Sequence, residues 1–146
     1  MRPSKSISFR ASDAPAAELA LADLIKRYGQ SDVEEADVVV ALGGDGFMLD
    51  TLKDVRPLDK PVYGMNRGTV GFLMNEYEEN DLPARLASAE EATINPLHMR
   101  AKSGDGTISE GLAINEVSLL REGPQAARLQ ISVDGNLRLT ELVCDG

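Results

Sequence analysis

An apolar run at residues 37–42 (DVVVAL) delivers the chain to Gly43-Gly44-Asp45-Gly46. Glycines let a backbone approach a phosphate closely and turn its N–H groups inward. A carboxylate in the middle of such a loop is well placed at the positive end of a following helix. It could accept a proton from a hydroxyl nucleophile, or hold a metal ion against phosphate oxygens. Asp-Gly is also a common turn, so the tetrapeptide alone leaves a solvent-exposed turn open.

A second glycine-rich stretch, MNRGTVGFLMN (65–75), follows the next apolar segment. Asn66 can fix its fold by side-chain hydrogen bonds, and Gly68 and Gly71 allow close backbone approach. Arg67 could touch phosphate or clamp the loop. Phe72 is a large apolar group in a glycine loop, suited to lining a base or ribose pocket or to plugging the core beneath. A third piece, AINEVSLL (113–120), carries Asn115-Glu116 inside an otherwise apolar segment read as a strand. A buried amide there needs partners, and an amide can read the edge of an adenine. The alternative is a strand-edge pair satisfied locally.

Alternating secondary structure must position these residues. SISFRAS (6–12) reads as a strand with Ile7 and Phe9 on one face. Ser12 or Asp13 can cap a helix with Pro15 in its first turn, and Gly29 stops it after Tyr28. Leu21, Leu24, Ile25 and Tyr28 form its apolar stripe. DVVVAL is apolar throughout, as expected of a strand covered on both faces. Met48, Thr51, Leu52 and Val55 mark a second helix, KPVYGMN (60–66) a third strand, and Asp81 caps a helix carrying Leu82, Leu86 and Ala89. This order predicts an α/β fold with a Rossmann-like open parallel sheet over residues 1–92. Beyond residue 92 the helical period vanishes. TINPLHMRAK, GLAINEVSLLR and RLQISVDGNLRLTEL read as antiparallel strands, with Asp134-Gly135 as a hairpin turn. Residues 93–146 are therefore expected to begin an all-β domain.

With 146 residues and a formal net charge of −9, the chain has a real core but repels a phosphodiester backbone. Nucleic-acid binding is not expected. A single nucleotide can still be held by backbone N–H groups. One cysteine, Cys144, excludes an internal disulfide or a cysteine-based zinc cluster, and its strand-end position suggests a small core residue. His98, the one histidine, reads as structural. The acidic run 76–81 (EYEEND) reads as a solvated approach to a helix. No apolar stretch has the length of a signal peptide or membrane span, so a cytoplasmic protein without membrane association is expected.

Taken together, GGDG (43–46), NRGTVGFL (66–73), NE (115–116) and the final DG (145–146) resemble the NAD kinase family. The resemblance runs from about residue 37 to Gly146. It implies phosphorylation of the adenosine ribose 2′-hydroxyl of NAD to give NADP, with ATP or polyphosphate as donor and Mg²⁺ as cofactor. It further implies that Asp45 activates that hydroxyl or organises the metal. Gly43, Gly44 and Gly46, with Asn66, Arg67 and Gly68, would face phosphate. Asp45, Gly46, Phe72, Leu73, Asn115, Glu116 and Asp145 would meet NAD. Phe72 and Leu73 would line its adenosine site, Asn115 its adenine, and Glu116 its ribose or the metal. Asp145 would meet its nicotinamide half from a neighbouring subunit, so the full-length protein is expected to be a homodimer or homotetramer.

Phe47 departs from the family, which usually has Thr after GGDG, and a hydroxyl available to phosphate is thereby lost. The family also continues past the final DG with a Thr/Gly/Ser-rich segment. The chain is accordingly expected to be an incomplete, inactive N-terminal part. Two other readings stay open. One is a lipid kinase of the diacylglycerol kinase type, which shares GGDG but has a small-residue second loop. The other is a non-catalytic nucleotide-binding module.

Overall fold

A computed structural model describes residues 5–68 and 71–146, so residues 69–70 of the second glycine loop lie outside it, as do the first four. The chain divides into two compact units, Met1–Ala92 and Thr93–Gly146. In the first unit, β1 (Ile7–Ala11), α1 (Pro15–Tyr28), β2 (Val38–Gly43), α2 (Asp45–Val55), β3 (Val62–Asn66) and α3 (Leu82–Ser88) follow in order. The strands form a parallel sheet ordered β1-β2-β3. β2 is central and every one of its residues is buried, which accounts for its unbroken apolar run.

The pleat of β2 divides the layers. Val38, Val40 and Leu42 join Ile7, Phe9 and Met65 in a core with Ala17, Ala20 and Leu24 of α1 and Leu82 and Leu86 of α3. On the other face Ala41 lies beside Gly64. A Cβ at Gly64 would reach the sulfur of Met48 on α2, so α2 covers this side. The open edge of β1 is satisfied by Gln30, whose side-chain amide accepts from the Phe9 N–H and donates to the Phe9 carbonyl.

Several expected details differ. The residue preceding α1 is Ala14, with no side-chain cap; Ser12 still continues the strand, its N–H bonding the Leu42 carbonyl. Asp81 precedes α3 in a left-handed conformation and caps nothing with its carboxylate; Ala89 lies past the helix end.

The second unit holds two antiparallel hairpins, β4 (Leu97–Lys102) with β5 (Ile108–Ala113), and β6 (Ala127–Val133) with β7 (Asn136–Cys144). Asp134 and Gly135 both take positive φ, as a two-residue hairpin turn requires. His98 is exposed on β4, 3.8 Å from Glu110, not in a core. Cys144 is half-buried at the end of β7. No helix among the described residues is long and apolar enough to cross a membrane.

Candidate functional site

Parallel pairing places Gly43 at the end of β2 opposite Asn66 at the end of β3. Both glycine loops therefore leave the same carboxyl edge of the sheet, the usual ligand edge of open α/β sheets. They are tied together there. The Arg67 N–H donates to the Gly43 carbonyl at 2.9 Å, and the Gly68 N–H donates to Asn66 Oδ1 at 2.8 Å. Gly44 precedes α2 in extended conformation and Asp45 is its first residue.

The Asp45 carboxylate faces the second loop. Its Oδ2 accepts the Phe72 N–H at 2.8 Å and its Oδ1 accepts the Leu73 N–H at 3.0 Å. A Cβ on Gly71 would run into the carboxyl group, so this approach requires glycine. Phe72 is fully exposed, which excludes the core plug, and Leu73 is 36% exposed. Phe47 is half-buried, and its Cβ and ring lie about 3.0 Å from where a Gly43 Cβ would stand. The side chain that replaces the family threonine thus packs back onto the first glycine.

Further residues hold the second loop. Arg67 Nε donates to the Ala16 carbonyl of α1, and its guanidinium lies 4.0 Å from the centre of the Tyr77 ring. These contacts clamp the loop. Burial, together with the Glu79 carboxylate that its hydroxyl bonds, pushes the Tyr77 phenol up to about 12, so it stays a neutral donor at physiological pH. Asn75 closes the base of the loop, its backbone and side-chain N–H groups both donating to the Gly64 carbonyl. Arg85 gathers the return segment, donating to the carbonyls of Glu76 and Glu78 and to the Tyr63 hydroxyl. No spacing in the sequence pointed to Asn75, Tyr77 or Arg85, since their contacts with Gly64, Arg67 and Tyr63 are set by how the loop returns. An open cleft of about 490 Å³ lies here, lined by Asn66, Arg67, Gly68, Met74 and Tyr77 among others. Asp45 does not line it.

Asn115, Glu116 and Asp145 lie on the second unit. β5 ends at Ala113, so Asn115 and Glu116 follow the strand in an exposed bend rather than interrupting it. The expectation of a buried amide is thereby corrected. β5 starts early because the turn at Ser103–Thr107 fixes its pairing with β4. Asp145 pairs with Arg121, Oδ1 to Nε 2.8 Å, and its carbonyl accepts the Arg121 N–H.

No group of three or more metal-ligating side chains occurs among the described residues. Among the described residues, Asp45 bonds the second glycine loop and Glu76 lines the adjacent cleft. That donor set fits Mg²⁺ carried largely on nucleotide phosphates and water, not a dedicated protein cage.

Comparison with known proteins bears on the whole arrangement. The profile of the ATP-NAD kinase N-terminal domain matches residues 3–92. The chain is 63% identical over 140 residues to an NAD kinase of Cereibacter sphaeroides, an alignment covering 96% of the chain and 55% of that relative. It is 56% identical over 140 residues to an NAD kinase of Hyphomonas neptunium, with 96% and 55% covered. A relative from Mesorhizobium japonicum, also an NAD kinase, is 55% identical over 141 residues, with 97% and 55% covered. The chain thus spans about half the length of the curated relatives it matches. Its glycine loops stand together at one sheet edge within the matched region, and the chain belongs to the NAD kinase family.

Proposed function

We propose that the full-length protein transfers a phosphoryl group from ATP or polyphosphate to the adenosine ribose 2′-hydroxyl of NAD, giving NADP. The observation that carries this reading is the seating of Asp45 between two glycine loops at the carboxyl edge of the parallel sheet, in a chain of this family. Residues 1–92 form the nucleotide-binding domain and residues 93–146 begin the β domain. Asp45 takes the proton of the hydroxyl as its oxygen attacks the transferred phosphorus. Gly43, Gly44 and Gly46 present the first loop's backbone to phosphate, with Asn66, Arg67 and Gly68 holding the second loop beside it. Catalysis is then largely positioning and electrostatics. A magnesium ion, held by Asp45 and phosphate oxygens, would neutralise charge on the transferred group when bound.

Phe72, with its exposed ring, and Leu73 serve the adenosine side. Asn115 serves the adenine edge and Glu116 the ribose or metal side. Asp145 meets the nicotinamide half across a subunit boundary in a homodimer or homotetramer. The protein works in the cytoplasm, without membrane or nucleic-acid partners.

Two measurements test this. Purified full-length protein should convert NAD to NADP and leave diacylglycerol unphosphorylated; the reverse preference would favour a lipid kinase. Asp45→Asn should keep most NAD binding and lower kcat about 10²–10⁴-fold, the size of a general-base contribution. A near-wild-type rate would remove Asp45 as the base.

A further inference from the structure

Asp45 is the first residue of α2, so the helix fixes its backbone. The torsion that turns its carboxyl group is broad and sets no plane by itself. The second loop sets it. The Phe72 N–H bonds Oδ2 and the Leu73 N–H bonds Oδ1, one amide on each oxygen. A carboxylate offers about four acceptor sites, so each oxygen keeps one for a further donor. The residue is only half-buried. The Phe72 side chain is fully exposed, and the loop meets Asp45 through its backbone. Gly71 permits that meeting, because a Cβ there would run into the carboxyl carbon and both oxygens. Beyond it the chain is pinned. Asn75 bridges to Met65 of β3, and its backbone and side-chain N–H groups both bond the Gly64 carbonyl. Bulk added at residue 71 therefore meets a segment anchored at Asn75, and the carboxylate is the group that must turn.

We propose that Gly71 is a positioning residue for phosphoryl transfer. By carrying no side chain it lets two backbone amides hold the Asp45 carboxylate in one plane, with an acceptor site on each oxygen left for the sugar hydroxyl. The inference rests on the reading of Asp45 as the base, and it adds what aims that base. A hydroxyl gives up its proton only within about 2.6–3.2 Å of a carboxylate oxygen. A misplacement of about 1 Å costs on the order of 10²-fold in rate. Gly71 acts through Asp45 alone, so its contribution to the rate disappears once the carboxylate is gone.

A double-mutant cycle on the kcat of the full-length protein tests this. Gly71→Ala should lower kcat for NADP formation about 10²-fold and leave the KM for NAD within about threefold. In an Asp45→Asn background the same substitution should lower kcat by less than about threefold, because residues acting as a unit are not additive. An equal loss in both backgrounds overturns the proposal, as does a Gly71→Ala enzyme with wild-type kcat or with a change in KM alone. If Gly71→Ala does not fold, Asn75→Ala takes its place, since it loosens the base of the loop without adding bulk beside Asp45. A loss of about threefold or more that disappears in the Asp45→Asn background then supports the proposal. No loss, or a loss that persists there, overturns it. Asp45→Asn alone separates the two claims. Lost turnover there with full turnover in Gly71→Ala keeps the base and discards the positioning role, whereas near-wild-type turnover in Asp45→Asn removes the base itself.

Discussion

Phe47 shows how one residue constrains its neighbour. A Cβ built on Gly43 would lie 3.0 Å from both Cβ and Cδ1 of Phe47. Gly43 belongs to β2 and is not among the positive-φ glycines, so alanine would meet no backbone strain there. The constraint is steric, and it comes partly from an aromatic ring that can be removed. Gly43→Ala should therefore cost about 1–3 kcal/mol in the full-length protein, the usual range for overpacking. Phe47→Ala should relieve part of that loss, because the ring leaves while Cβ stays. Denaturant unfolding of both single variants and the double variant gives the coupling directly. Strict additivity would show that Gly43 is kept for another reason, such as phosphate approach. From the sequence Phe47 was visible as a missing hydroxyl; its packing on Gly43 was not, because the contact crosses the turn into α2.

Among the elements, the two ends of the sheet divide their work. At the carboxyl edge β2 and β3 present the loops; at the amino end Ser6 and Asp37 join β1 to β2. Asp37 Oδ2 accepts both the Ser6 N–H at 2.8 Å and the Ser6 hydroxyl at 2.9 Å. These bonds, the backbone one foremost, hold the Asp37 carboxyl below the usual carboxylate value. A depressed folded pKa contributes stability that is complete above the unfolded value and is lost as pH falls through the folded one. Wild type should therefore exceed Asp37→Ala in Tm at neutral pH, and the gap should close on acidification below the ordinary carboxylate range. A gap independent of pH would assign the effect to packing. The activity proposed for the full-length protein should not change, since Asp37 precedes β2 at the end away from Gly43. β2 was legible because its continuous apolar run identifies a doubly covered strand, and β1 because Ile7 and Phe9 alternate. The start of α1 was not, because Ser12 still continues the strand beside Leu42 and the helix begins after Ala14. Asn115 was misplaced for a similar reason, the turn after Lys102 having already fixed where β5 begins.

For the molecule as a whole, the unequal burial of the two units matters most. Every buried hydrophobic side chain among the described residues falls between Ile7 and Leu86, within the first unit. The second unit buries none, and there Leu119, Leu120, Leu137, Leu139 and Val143 are exposed. This imbalance also explains what the sequence conveyed of the site. Parallel strands joined by helices are adjacent by rule, so two glycine loops following β2 and β3 could be placed side by side from pattern alone. The grip of Asp45 on Phe72 and Leu73 could not, because it depends on where a long loop returns. Two-stranded hairpins are at best marginally stable without a packed face, whereas a three-layer α/β unit opens only on wider unfolding. In the 146-residue chain, limited proteolysis should therefore cut first within residues 93–146 and leave a resistant core spanning β1 to α3. Mass spectrometry of the early products would read the sites. First cuts within α1 or β2 would mean that the helical layers do not protect the sheet. Equal resistance of both units would mean that the hairpins find cover in solution, and self-association measured at the same concentration would tell whether a second copy supplies it.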